Sequence, residues 1–338
     1  MTLNIGVVGT GKIGQEHIRR LTETLAGARV VAVSDADLAR AKEVAAKLAG
    51  AKAYPTGEDL IAAGEVDAVI VTSWGETHAA HVLAAIKAGK PVFCEKPMAT
   101  TEADCSAIVD AEAAFGRRLV QVGFMRRFDA QYRAMKEAIV KGAIGSPLMF
   151  HSAHRNASAP AHFKATMAIT DTAVHDIDIA RFLLDDEPVA IAVRAPRANR
   201  HAGGVADPLL ILMDMRSGAR VTIETSVNIA YGYDIRGEVI GETGTVSLAE
   251  QSDVVIKTKG AFSGRVFGDW PERFDAAFDA EFRAWIGAAA KGGAAGSSAW
   301  DGYVATAATV AGVKALESGA SEPIKLREQP KLYARTSS

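Results

Sequence analysis

Cysteine is scarce in this chain: Cys94 and Cys105 are the only two among 338 residues. Two thiols cannot frame a disulfide scaffold, and neither has a partner at zinc-ligand spacing, so a disulfide-stapled or zinc-stapled fold is excluded. An excess of one charge is missing too. Thirty-eight Lys and Arg oppose 40 Asp and Glu, a formal net charge of −2 that leaves no basic field for nucleic acid or an anionic membrane. No apolar run approaches the roughly 18 residues needed to cross a bilayer. The opening MTLNIGVVGTG runs straight into a strand and a glycine turn, without a basic segment and a cleavable apolar one. A soluble, cytoplasmic protein is therefore expected. With 49% hydrophobic and 23% charged residues the composition is that of a globular protein, and the length exceeds one ordinary core, which predicts two domains.

What is present begins with a strand at 4–8 followed at once by Gly9-Thr10-Gly11-Lys12-Ile13-Gly14, after which helical periodicity resumes. A GxGxxG alone is weak. Here it lies between strand and helix, and a second strand at 28–33 ends in Ser34-Asp35, placing an acid where a ribose diol would lie. Gly9 and Gly11 permit the tight turn and close approach to a pyrophosphate. Gly14 lets helix and strand pack, and the helix N-terminus faces the phosphates. Asp35 favours NAD, because a carboxylate repels a 2′-phosphate; Lys12 in the loop partly offsets that repulsion and predicts some tolerance of NADP. Alternation continues through a helix at 38–48, the strand VDAVIVT at 66–72, a helix at 79–88, a strand at 91–94, a helix at 101–115 and a strand at 118–122. Strand alternating with helix means a parallel sheet, with ligands beyond the strands' carboxyl ends, where Thr72, Ser73, Trp74, Glu95 and Lys96 fall. His78 reads equally as a helix-start histidine without a role or as a cofactor contact.

Lys96 precedes Pro97, which disfavours helical backbone and predicts an extended lysine at a strand tip. Such an ammonium would hydrogen-bond a substrate hydroxyl beside a nicotinamide; the alternative is a surface Lys-Pro turn. Further along, the stretch DTAVHDID puts Asp171 and His175 four residues apart, on one face of a helix. Read alone, it is either a capped helix start or an acid–imidazole pair. In the second half, strands at 209–215 and 219–229 flank Arg216-Ser217-Gly218, and 239–241 and 245–248 flank Glu242-Thr243-Gly244, two hairpin signals. Further strands are expected at 148–155 and 254–258, a loop at 284–298 and a helix at 303–318. His151 and His154 point to opposite faces of their strand and bring no third ligand, so no metal is expected. Trp270 reads as a packing residue.

Several blocks occur in an order that resembles the Gfo/Idh/MocA oxidoreductases and, within them, the bacterial inositol 2-dehydrogenases. They are GVVGTGKIG at 6–14, TSWGETH at 72–78, VFCEKPMATT at 92–101, VQVGFMRRFD at 120–129, HRN at 154–156, DTAVHDID at 171–178, YGYD at 231–234 and AWDGY at 299–303. The resemblance spans nearly the whole chain. It implies an α/β protein with an N-terminal Rossmann-like doubly wound parallel sheet over 1–122. A C-terminal α/β domain over 123–338 would follow, with a large open, mostly antiparallel sheet for substrate binding and oligomerisation and a tail able to pack back on the first domain. It implies Lys96, Asp171 and His175 as the catalytic set. It assigns NAD to Gly9, Thr10, Gly11, Lys12, Ile13, Asp35, Thr72, Ser73, Trp74, His78, Glu95 and Lys96, and a polyol to Lys96, Arg126, His154, Asn156, Asp171, His175 and Tyr233. A homotetramer is implied as well. Lys12 departs from the small residue frequent at that position. The implied reaction is NAD-dependent oxidation of a cyclic polyol, foremost myo-inositol to 2-keto-myo-inositol. Scyllo-inositol, D-chiro-inositol or a pyranose is the alternative, and a non-catalytic NAD-binding regulator a more distant one. Histidine is the natural base for the alcohol proton near neutral pH, which falls to His175, with Asp171 fixing its tautomer and Lys96 stabilising alkoxide charge.

Overall fold

The computed structural model describes residues 2–160, 163–197, 199, 205–249 and 254–334. The chain forms two compact units, neither of them one continuous stretch. The first comprises 1–124, 278–306 and 327–338, and the second 125–277 and 307–326.

In the first unit the elements alternate as β1 (Leu3–Val8), α1 (Lys12–Arg19), β2 (Ala28–Ser34), α2 (Leu38–Ala46), β3 (Lys52–Tyr54), α3 (Gly57–Ala62), β4 (Ala68–Val71), α4 (Gly75–Lys87), β5 (Val92–Glu95), α5 (Glu102–Phe115) and β6 (Val120–Gly123). Among the described residues they build a six-stranded parallel sheet in the order β3-β2-β1-β4-β5-β6. The order reverses between β1 and β4, the switch point at which doubly wound sheets bind ligands. Every residue of β4 and β5 is buried, as covered parallel strands require. Helix starts are local chemistry: Asp37 accepts from Ala39 and Arg40, Thr56 from Asp59 and Thr101 from Asp104. Gly116, at φ +79°, stops α5 in the left-handed region.

The second unit opens with a 3₁₀ turn at Met125–Phe128, α6 (Ala130–Val140) and β7 (Pro147–Arg155). A π-helical turn at Ala168–Ala173 runs into α7 (Val174–Leu184), followed by β8 (Pro188–Arg194), β9 (Leu209–Met215), β10 (Arg220–Ser226), β11 (Asp234–Gly241), β12 (Thr245–Ser247) and the separate hairpin β13 (Val255–Thr258) and β14 (Ala261–Gly264). Two long helices, α8 (Trp270–Ala289) and α9 (Ala299–Ser318), a short β15 (Ser321–Pro323) and a 3₁₀ turn at Lys331–Tyr333 follow. The described sheet has the order β12-β11-β7-β10-β9-β8-β15, in which only the β7–β10 pairing is parallel. It is open and mostly antiparallel. On β9, Leu209, Ile211 and Met213 are buried while Leu210 and Leu212 are exposed, so this strand turns two leucines toward solvent.

The expected loop at 284–298 is corrected by α8, which continues to Ala289. Phe282, Trp285, Ile286 and Ala289 recur at helical spacing and join β1, β2 and Phe93 in the first unit's core. No described helix is long and apolar enough to cross a membrane.

Candidate active site

The glycine turn after β1 fits a dinucleotide. Gly9 has φ +98°, and a Cβ there would meet the Ser73 nitrogen at 2.4 Å. At Gly14 a Cβ would lie 2.1 Å from the Gly9 oxygen, so helix and turn pack only through hydrogen. Gly11 differs: a Cβ would meet no heavy atom within 4 Å, and this residue caps α1 without a side-chain acceptor. The helix start therefore opens on free space at Gly11, with no side-chain cap and no acid in its first turn, as a pyrophosphate requires. Thr10 donates its N–H (2.7 Å) and its hydroxyl (2.8 Å) to one oxygen of Asp35, while the Asp37 N–H (2.9 Å) and Arg40 (3.1 Å) donate to the other. Burial pushes the Asp35 carboxyl up, but these bonds outweigh it and hold it below its usual range. Lys12 is exposed and Ile13 half-buried.

At the neighbouring strand tips, Thr72 donates to the Gly9 oxygen at 2.6 Å and closes the turn. Ser73 bonds the Thr77 hydroxyl at 2.8 Å, and Trp74 stands 81% exposed ahead of α4. His78 is buried with one ring nitrogen 2.8 Å from the Pro97 oxygen and the other 3.0 Å from the Ser73 oxygen, a clamp between the tips of β4 and β5. Burial lowers its pKa, against the pull of the two carbonyls. Glu95 is buried and bonds His17 at 2.7 Å. Lys96 is half-buried, its N–H donates to Glu95 at 3.1 Å, and its peptide bond to Pro97 is cis.

In the second unit the stretch DTAVHDID is not the single α-helical turn expected of it. Asp171 lies half-buried in the π-helical turn and His175 is buried in the first turn of α7. Ile169 of the same turn rests on α9 at Gly312, where a Cβ would sit 3.0 Å from its Cγ2, so close packing accompanies the wider turn. Such π-helical insertions are frequent at functional sites.

The acids that follow belong to two arginines of the 3₁₀ turn. Arg127 grips Asp178 with a two-pronged bond of 2.8 and 2.6 Å. Arg126, fully buried, donates to Asp176 Oδ1 at 2.6 Å, and Ser152 adds a short bond to the same oxygen. On Oδ2 the recorded partner is His154 Nδ1 at 2.9 Å. Arg126 Nη2 lies 2.9 Å from the same Nδ1, so this nitrogen sits between a guanidinium that donates and a carboxylate that accepts. The other ring nitrogen, Nε2, faces the Tyr233 hydroxyl at 3.4 Å, with the phenol ring perpendicular to the imidazole. Burial would raise Asp176, yet the Arg126 charge and the bonds from His154 and Ser152 bring it down to about 2. Burial pushes the Tyr233 phenol up to about 12. The His154 and His175 rings are 6.3 Å apart. Arg126, His154, His175 and Tyr233 thus form one polar cluster around Asp176. Asn156 lies beyond the end of β7, its backbone bonded to Ser226 and Ile229.

Sequence reasoning did not single out His17, Arg20, Ser152, Asp176 or Asp178 as site residues. The one available signal is two adjacent arginines in VQVGFMRRFD and two acids spaced i, i+2 in DTAVHDID, whose pairing across fifty residues nothing local reveals.

A family model described as an oxidoreductase family with an NAD-binding Rossmann fold matches residues 3–124. The GFO/IDH/MocA C-terminal domain matches 132–247. The chain is 52% identical over 334 residues to inositol 2-dehydrogenase 3 of Saccharopolyspora erythraea, covering 98% of each. It is 51% identical to inositol 2-dehydrogenase of Azotobacter vinelandii, covering 99% of each. The crystal structure of myo-inositol dehydrogenase from Lactobacillus casei in complex with NAD(H) and myo-inositol superposes with a TM-score of 0.96, at 36% identity, over 99% of this chain and 100% of that one. A glycine turn shaped for a pyrophosphate, an open mixed sheet and these likenesses have one common explanation: the chain belongs to the Gfo/Idh/MocA family of NAD-binding oxidoreductases.

Proposed function

We propose that this protein is an inositol 2-dehydrogenase that oxidises myo-inositol to 2-keto-myo-inositol. The observation that carries this reading is the cluster of His154, His175 and Tyr233 around a neutralised Arg126–Asp176 pair. Such a cluster offers hydrogen-bond donors and acceptors without net charge, the demand of an uncharged polyol. NAD, when bound, would supply the hydride acceptor. The turn Gly9, Thr10, Gly11, Lys12 and Ile13, Asp35, and the strand tips carrying Thr72, Ser73, Trp74, His78, Glu95 and Lys96 would hold it. His175 takes the hydroxyl proton, Asp171 orients its imidazole, and Lys96 donates to the oxygen as negative charge builds on it. Arg126, His154, Asn156 and Tyr233 serve the remaining hydroxyls, Arg126 by way of His154 and Asp176.

Following NADH absorbance with myo-, scyllo- and D-chiro-inositol and with glucose tests the reading. Myo-inositol is expected to give the highest kcat/KM. Another isomer ahead of it moves the substrate, and silence with every polyol alongside tight NAD binding leaves the regulator. Asp35 supports NAD over NADP, with Lys12 allowing residual NADP use. Leu210 and Leu212, exposed on β9, support a homotetramer through the open sheet, which light scattering on the purified protein checks.

A further inference from the structure

The reaction proposed above uses neither His17 nor Arg20, yet both are fully buried beside the tip of β5. His17 lies on α1, its ring enclosed by Phe93, Phe278 and Phe282 at centroid distances of 5.8, 5.6 and 4.6 Å. Each of its nitrogens is taken. Nδ1 faces an Nη1 of Arg20 at 3.2 Å, and Nε2 faces Glu95 Oε1 at 2.7 Å. A guanidinium only donates, so Nδ1 is the acceptor and the ring proton sits on Nε2, directed at the carboxylate. Arg20 in turn is anchored by Asp279 of α8 at 2.7 Å and lies over the Phe278 ring. The other oxygen of Glu95 accepts the N–H of Lys96, and it approaches β6 so closely that a Cβ at Gly123 would sit 3.0 Å from it. Asp279, Arg20, His17, Glu95 and the Lys96 amide are one continuous line of hydrogen bonds.

We infer that His17 is a positioning residue: held by Arg20 in the Nε2–H tautomer, it fixes the Glu95 carboxylate and through it the backbone of Lys96. The line passes through His17 on the helix that follows the glycine turn and ends at the lysine assigned to the reacting oxygen, so that helix bears on both. The titratable and charged groups facing His17 are Glu16, Arg20 and Glu95, and those facing Glu95 are His17, Lys96, His78 and Cys94. Burial lowers His17, with Arg20 adding to it against the pull of Glu95, and the ring stays neutral. Burial alone would raise Glu95; the His17 bond and the Lys96 charge bring it below its usual range.

The role rests on the dehydrogenase reading, and its test separates the two. In nitrogen-15 spectra of histidine-labelled protein without ligands, His17 is expected as a neutral Nε2–H ring that does not titrate near neutral pH. In Arg20→Met it is expected to lose that single tautomer. In the pH profile of kcat/KM, His17→Phe fills the aromatic cage without a donor and steepens the acid limb set by His175 into a two-proton loss, as a Glu95 carboxyl moved up by about one to two pH units requires. His17→Gln, whose amide restores a donor, returns the limb to the wild-type slope. A merely structural histidine would lower stability in both variants and leave the limb unchanged; that result overturns the inference, as does an imidazolium or an Nδ1–H ring in the spectra. If His17→Phe fails to fold, the Arg20→Met spectra and the His17→Gln profile decide alone. Wild-type protein inactive with every polyol defeats the functional reading, while the tautomer still decides this one.

Discussion

Each unit buries an imidazole against a carboxylate, His17 on Glu95 in the first and His154 on Asp176 in the second, and the two pairs are balanced in opposite ways. In the second unit the arginine reaches the carboxylate itself, 2.6 Å from Oδ1, and the group closes as a compact neutral cluster. In the first unit Arg20 bonds Asp279 and the imidazole, and the charge on Glu95 is met by N–H groups and by Lys96. A closed ion cluster in a dry interior holds structure, because opening it leaves a bare charge. An open line of bonds ending at a reactive side chain transmits position. The comparison separates groups that support the site from groups that adjust it.

The largest test lies inside the second unit, where His175 and Asp176 are adjacent in sequence. His175→Ala should lower kcat by roughly 10²–10⁴ while unfolding remains near that of the parent, since a general base is lost but no buried charge is bared. Near wild-type turnover would remove His175 from the chemistry. Asp176→Ala should reverse the pattern and cost about 3–5 kcal/mol in urea unfolding, because Arg126 stays buried without its anion. A loss below about 1 kcal/mol would break the contrast between the two pairs. Acid sharpens it further. Asp176 is held below its unfolded value of about 3.9, so the stability it contributes is full above that pH and is lost as pH falls through about 2. On the order of 2 kcal/mol should disappear across that window and be missing from Asp176→Asn, as unfolding curves at stepped pH would record. The smallest effects belong to the glycine turn. Gly14→Ala should destabilise by about 1–3 kcal/mol, since the added carbon meets the Gly9 oxygen. Gly11→Ala should leave the melting temperature nearly unchanged and raise the KM for NAD, because its carbon enters open space; equal stability losses for the two would refute the cradle.

Much of the first unit was legible because its signals are local. A strand, a glycine turn and a helix follow one another within about twenty residues, and alternation of buried strands with helices fixes a parallel sheet. The hairpins of the second unit were legible for the same reason, through Arg216-Ser217-Gly218 and Glu242-Thr243-Gly244. The polar interiors were not. His17 meets a partner 78 positions away and Arg126 one 50 away, and no periodicity announces such pairs. The π-helical turn leaves no mark in DTAVHDID, since composition does not distinguish it from an α-turn. The run 284–298 misled because alanine and glycine read as loop, although Phe278, Phe282, Trp285 and Ala289 already marked a helical face.

That helical face has a consequence for how the protein is made. The first unit's nucleotide-binding sheet is encoded by residue 124, but Phe282, Trp285 and Ile286, which fill its core, and Tyr333, whose hydroxyl bonds Glu112 at 2.6 Å, are translated much later. A ribosome releasing the N-terminal third delivers a sheet with an uncovered apolar flank, which must wait for nearly the whole polypeptide before it closes. Expressed as a fragment ending at that point, the cofactor half should be insoluble, and supplying the late helix in trans should rescue it.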